Sequence, residues 1–95
     1  MHFDVIFSDE ADDTFESIGQ QIMNKWGEKE LKEFRRRTYN VTEIISNFPL
    51  IFQAVNKTHV RKAFIHKNCS MFYVVGEKRI EVLFFWDNRQ DPMFL

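Results

Sequence analysis

The sequence predicts an α+β fold, an N-terminal strand and an αα-hairpin packed on a mostly antiparallel sheet, and three observations carry that prediction. Two apolar stripes of helical period, Ala11-Phe15-Ile18-Ile22-Trp26 and Leu31-Phe34-Thr38-Val41-Ile45-Phe48, are separated only by the short segment around Gly27. Pro49 ends the second stripe, because it can neither donate a helical hydrogen bond nor avoid the preceding turn. Beyond it, short runs rich in β-forming residues are joined by connections of two or three residues, a pattern of antiparallel neighbours.

Each element has its own signal. In residues 2–7, Phe3, Val5 and Phe7 alternate with His2, Asp4 and Ile6, a period-2 strand. Ser8 is placed to cap the first helix, and Asp9, Glu10, Asp12 and Asp13 crowd the turn where the helix dipole favours anions. Gly27 reads as a left-handed cap that turns the chain straight into the second helix, so the two helices run antiparallel. Four strands are then expected, at 50–55, 59–66, 69–75 and 79–86. The last becomes apolar on both faces at Leu83-Phe84-Phe85-Trp86, as a central strand covered by the hairpin would. Residues 87–95, with Pro92, form a tail that leaves the sheet.

At 95 residues the chain has material for one core, and a single domain over 1–95 is expected. Eleven phenylalanines exceed what a minimal core needs, which points to some on a partner-facing surface. Cys69 has no cysteine partner and no secretory leader pattern opens the chain, so a reducing cytoplasm is the expected compartment. No apolar run approaches the roughly 20 residues that span a bilayer, so no membrane role is expected. The net charge of −1 conceals a polarity: residues 1–34 carry −6, residues 35–79 carry +7 and residues 80–95 carry −2. A basic middle of this kind suits an anionic partner, either nucleic acid or an acidic protein segment.

His2, His59, His66 and Cys69 are too scattered for a zinc site, and Gly19, Gly27 and Gly76 are isolated, so neither a metal nor a phosphate loop is expected, and no cofactor. Cys69 shares a strand face with Met71, Tyr73 and Val75, which predicts a buried, inert thiol. Arg61, Lys62, Lys67, Arg79 and Arg89 come from separate strands or the tail, and a sheet can gather such positions into a phosphate- or carboxylate-binding patch. Arg35, Arg36 and Arg37 spread around their helix and read as solvated surface.

The order strand, helix, Gly-linked helix, Pro, then hairpinned strands carrying Val60-Arg61-Lys62 and Met71-Phe72-Tyr73-Val74-Val75, closed by Asn88-Arg89-Gln90-Asp91-Pro92, resembles the RelE/ParE toxin superfamily over nearly the whole chain. The resemblance implies a toxin of a type II toxin-antitoxin pair, held in a hetero-oligomer by a cognate antitoxin whose flexible segment wraps it. RelE-like members cut mRNA in the ribosome, whereas ParE-like members poison DNA gyrase without being hydrolases. In RelE-like members an Arg precedes the hydrophobic pair and Tyr of the third strand, and here that position is Ser70. Asp87 stands where many relatives have a His, and no terminal His or Tyr offers an acid or base. The resemblance therefore favours the ParE-like branch. It assigns no catalytic residue and leaves Arg61, Lys62, Lys67 and Arg79 on the sheet, with Asn88 and Arg89 in the tail, as target-binding candidates. The alternatives are a ribosome-dependent mRNA endonuclease using Arg61, Lys67 and Arg89 on the phosphate with His66 as base, and a non-toxic binding module of the same fold.

Overall fold

A computed structural model describes residues 2–67 and 69–90. The chain runs β1 (Asp4–Phe7), α1 (Asp9–Trp26), α2 (Glu28–Asn47), β2 (Arg61–His66), β3 (Cys69–Val75) and β4 (Arg79–Asp87). The four strands form one sheet in the order β1-β4-β3-β2. β2–β3 and β3–β4 are antiparallel and β1 joins β4 in parallel, so the α+β reading holds and β4 is central. The core lies between the hairpin and one sheet face: Ala11, Ile18 and Ile22 of α1 and Phe34, Val41 and Ile45 of α2 meet Ala63, Met71, Tyr73, Ile80, Val82 and Phe85. Among the described residues no helix covers the other sheet face, and the candidate site lies there.

The helix ends follow the sequence signals. The Ser8 hydroxyl accepts from the Ala11 amide at 3.0 Å, satisfying a donor the helix leaves orphaned. Gly27 caps both helices at φ 94°, ψ −174°. Its φ is positive as the sequence requires, but ψ is extended rather than left-handed helical, a region open almost only to glycine. A Cβ there would touch nothing within 4 Å, so the penalty for a side chain is backbone strain alone. Gly27→Ala is expected to destabilise the fold by about 1–3 kcal/mol, read by urea unfolding. A loss within about 0.3 kcal/mol, the size of an ordinary surface change, would remove the argument.

A bulge in β4 explains why that strand is apolar on both faces. Phe72 pairs with Phe84 and Tyr73 with Val82, leaving Leu83 as an extra residue. The insertion reverses the alternation, so Phe85 joins Ile80 and Val82 toward the helices while Phe84 and Trp86 turn to the open face. α1 meets the polar groups around this bulge: the Ser8 hydroxyl donates to the Leu83 carbonyl at 2.7 Å, and the Phe85 amide donates to the Thr14 hydroxyl at 2.9 Å.

The expected strand at 50–55 is not formed. That segment is a turn region with one isolated bridge, Ala54 to Arg61, and β2 starts at Arg61 rather than His59. Two backbone bonds, from the Lys62 amide to the Gln53 carbonyl at 3.2 Å and from the Val55 amide to the Val60 carbonyl at 2.7 Å, hold it together with two side chains: the Tyr73 hydroxyl donates to the Pro49 carbonyl at 2.9 Å, and Arg61 donates to the Phe52 carbonyl at 2.6 Å. Leu50 and Ile51, read as strand residues, are exposed. At the N-terminus the strand begins at Asp4, and His2 contacts the Ser46 hydroxyl instead. The expected tail beyond Gln90 lies outside the described residues.

Candidate target-binding groove

Strand alternation sorts the candidate residues. Arg61 opposes Tyr73 and Lys62 opposes Phe72, so the two consecutive cations point to opposite faces. Arg61 shares the face of Tyr73 and is committed to the Phe52 carbonyl. Lys62 lies on the open face, with its ammonium 5.9 Å from the centre of the Phe72 ring. Arg79 opposes Asp4 at the far end of the sheet, beside the Gly76-Glu77-Lys78 turn.

Arg89 is held by its own neighbour. It makes a two-pronged pair with Asp87, 2.8 Å from Nη2 to Oδ2 and 3.0 Å from Nε to Oδ1, and the Arg89 amide also donates to Oδ1 at 2.9 Å. Its remaining reach is to Gln21 of α1 at 3.3 Å. The hydrogen bond from Arg89 holds the Asp87 carboxyl below the usual range, overcoming the burial that opposes ionisation. A depressed folded-state pKa stabilises the protein above the unfolded value of about 3.9 and is lost as pH falls through the folded value. Asp87→Asn is therefore expected to lower Tm at pH 7, and the gap should close as the pH drops below about 4. A gap that persists unchanged at pH 2 would contradict this.

Lys62, Lys67 and Asn88 are the candidates the fold brings together. They line a groove of about 330 Å³ on the open face with Phe64, Phe72 and Trp86. Ser70 lies at its base, and its hydroxyl donates to the Asn88 side-chain oxygen at 2.9 Å. The Asn88 amide reaches back to the His66 carbonyl at 3.4 Å, so the start of the tail is tied to both β2 and β3. The Trp86 indole donates to the Gln90 carbonyl at 3.4 Å. Lys67 stands at the mouth, with its ammonium 5.9 Å from the Trp26 ring at the end of α1. Phe72 stacks on Phe84 at 4.9 Å and is buried although no helix among the described residues covers it, while Phe64 is 59% exposed. The result is an aromatic floor under two cations.

Among the described residues, no His, Asp or Glu lines this groove. His66, the conceivable base, is buried on the helix side with Nε2 3.7 Å from Glu30 of α2, because a register shift between Phe64 and His66 turns it away from the open face. Among the described residues no cluster of His, Cys, Asp and Glu could hold a metal ion. Cys69 is fully buried, and burial pushes its thiol up to about 12, with the Asp87 charge adding to the effect. Iodoacetamide is expected to leave native Cys69 unmodified and to alkylate it once urea unfolds the chain; rapid labelling of the native protein would contradict the burial.

The groove's aromatic residues Phe64, Phe72 and Trp86 were not among the sequence candidates, though Phe64 and Phe72 stand two residues from Lys62 or Ser70 on one strand face. Phe48, the other strongly exposed phenylalanine among the described residues, sits at the end of α2 beside Leu50 and Ile51. Among the described residues no helix is long and apolar enough to cross a membrane.

The fold, a two-helix hairpin on one face of a four-stranded mixed sheet, is shared with solved structures. The chain superposes on a chain of the chromosomal ParDE TA system from P. aeruginosa with a TM-score of 0.75 at 11% identity, covering 90% of this chain and 96% of that one. It matches YoeB, described as a dimer, from Staphylococcus aureus with a TM-score of 0.65 at 12% identity, covering 90% and 97%. It also matches a chain of the E. coli DinJ-YafQ toxin-antitoxin complex with a TM-score of 0.60 at 11% identity, covering 94% and 96%. No family model and no curated protein sequence matches the chain.

Proposed function

We propose that this chain is the toxin of a type II toxin-antitoxin pair, ParE-like in acting by binding a target such as DNA gyrase, and that it is kept inactive in the cytoplasm by a cognate antitoxin in a hetero-oligomer. The fold shared with chains of the ParDE system and the DinJ-YafQ complex supports the toxin-antitoxin setting. The observation that carries the mode of action is the open-face groove, where Lys62 and Lys67 flank aromatic rings and Ser70 is spent on Asn88. Cleaving RNA without a metal takes a base, an acid and a phosphate clamp, and among the described residues this lining offers lysines but neither a His nor a carboxylate. Binding an anionic partner surface asks only for what the groove has.

Supercoiling by purified gyrase tests the proposal. Micromolar protein is expected to inhibit the reaction, and full activity in micromolar excess would overturn the gyrase reading. A RelE-like second reading draws on the same lysines, which suit a phosphate backbone as well as a carboxylate. Codon-positioned cuts in translated mRNA, detected by primer extension, would replace the first reading with this one. Induced expression that leaves growth unharmed would instead favour a non-toxic binding module.

A further inference from the structure

The open face of the sheet extends well beyond the groove at its Lys62 and Lys67 corner, and the strand register lays its side chains out in rows. Phe64 and Trp86 lie in one row, on either side of Ser70, and Lys62, Phe72 and Phe84 form the next. Val74, Glu81 and Ile6 form a third, which reaches the edge strand β1. Two large apolar side chains stand open at opposite edges of this surface, Phe64 on β2 with 59% exposure and Ile6 on β1 with 42%. An apolar surface of this extent is characteristic of an interaction site.

Two charges stand within it. Lys62 lies on β2 and Glu81 on β4, on either side of β3 and one row apart. Among the described residues neither makes an ion pair. A two-fold axis lying in the plane of the face and crossing β3 obliquely between Phe72 and Val74 exchanges the position of Lys62 with that of Glu81. By the same strand spacings it carries the position of Phe64 close to that of Ile6, while Trp86 falls beside the axis. Charge alone would not select a partner here, because Arg79 adds a cation near Glu81. The selecting feature is that one rotation exchanges both a pair of opposite charges and a pair of exposed apolar side chains, which is what an isologous interface requires.

We infer that the open face docks on the open face of a second copy of this chain, and that the resulting two-fold dimer covers the target-binding groove. Lys62 of each copy meets Glu81 of the other, Phe64 packs on Ile6, and the strands of the two sheets cross steeply, as in orthogonal sheet packing. Four strands by about five residues make roughly 350 Å² of sheet per copy, from the spacings of a pleated sheet. That places the dimer at the weak end of specific interfaces. The dimer stands on the register alone, whereas its silencing effect rests on the reading of the groove as the target contact.

Sedimentation velocity of the full chain between about 1 and 300 µM tests the inference, and a reversible dimer with a Kd of about 10–100 µM is expected. Glu81→Lys, an exposed position outside the lysine groove, should weaken the dimer at least about tenfold. Lys62→Glu should do the same, since each change sets like charges together at two symmetric places. Combining them in one chain swaps the charges and should restore the dimer to within about threefold of the parent. Ile6→Ser should weaken it by about tenfold, because an apolar contact is lost twice. A chain that stays monomeric at the highest concentration, a dimer indifferent to Glu81→Lys, or a double variant no better than the single ones would overturn the inference. Gyrase inhibition is measured separately. A dimer without inhibition would remove the target reading and leave the dimer standing, and inhibition by a chain that never dimerises would do the reverse.

Discussion

Reversing both groove charges, Lys62→Glu with Lys67→Glu, is expected to weaken the target complex by about 100-fold, or ~2.7 kcal/mol, and to abolish growth arrest when the protein is induced. The two ammonium groups are the cations that line the open-face groove, and each already stands over an aromatic ring, so both are presented rather than buried. Turning them to carboxylates replaces attraction by repulsion against an anionic surface, which costs more than truncation to Ala. Neither lysine makes an ion pair among the described residues, so Tm should move by only a degree or two. Arg79→Glu, at the far end of the sheet, is the matched control and should leave toxicity in place. A doubly reversed protein that arrests growth as strongly as the parent would exclude the groove as the contact.

Phe85→Ala should be among the most destabilising single substitutions, at about 3–5 kcal/mol. The ring is 2% exposed and lies 5.8 Å from Phe7 and 5.1 Å from Phe15, so it joins β1, α1 and β4 at one point. Removing it leaves a cavity that two further rings border, and the bulge at Leu83 fixes the backbone so that the site cannot readily collapse. A domain with a stability of about 5–15 kcal/mol would lose a large share of it. Phe84→Ala, one residue away on the open face and only half-buried, should cost distinctly less. Urea midpoints of the two variants separate the cases, and equal losses would contradict the sidedness assigned to the bulge.

The hairpin was legible because helical period, Ser8, Gly27 and Pro49 all mark the same boundaries. The false strand at 50–55 shows where that consistency fails. Its composition favours strand, but the carbonyls of Pro49 and Phe52 are taken by the Tyr73 hydroxyl and the Arg61 guanidinium, partners from distant positions that no local pattern announces. Both irregularities that shape the site, Leu83 in β4 and the shift between Phe64 and His66, are likewise settled by tertiary packing. Leu83-Phe84-Phe85-Trp86 signalled a strand apolar on both faces without revealing which side each ring takes.

The candidate site was only partly readable for the same reason. Period-2 alternation already separates Arg61 from Lys62, so the two cannot share one patch on a single sheet face. The Asp87 to Arg89 pair is different, because two residues at i and i+2 in a turn give no cue that they close on each other. What the fold adds is an arrangement in which the arginines serve structure at Phe52 and Asp87 while two lysines remain on the open face.

Hydrogen exchange of the protein alone and in the presence of purified gyrase tests the central claim most directly. Binding through the groove predicts slowed exchange in residues 62–67, 69–72 and 84–90, with α1 and α2 unchanged. Protection confined to the hairpin, or none at any residue, would contradict the account.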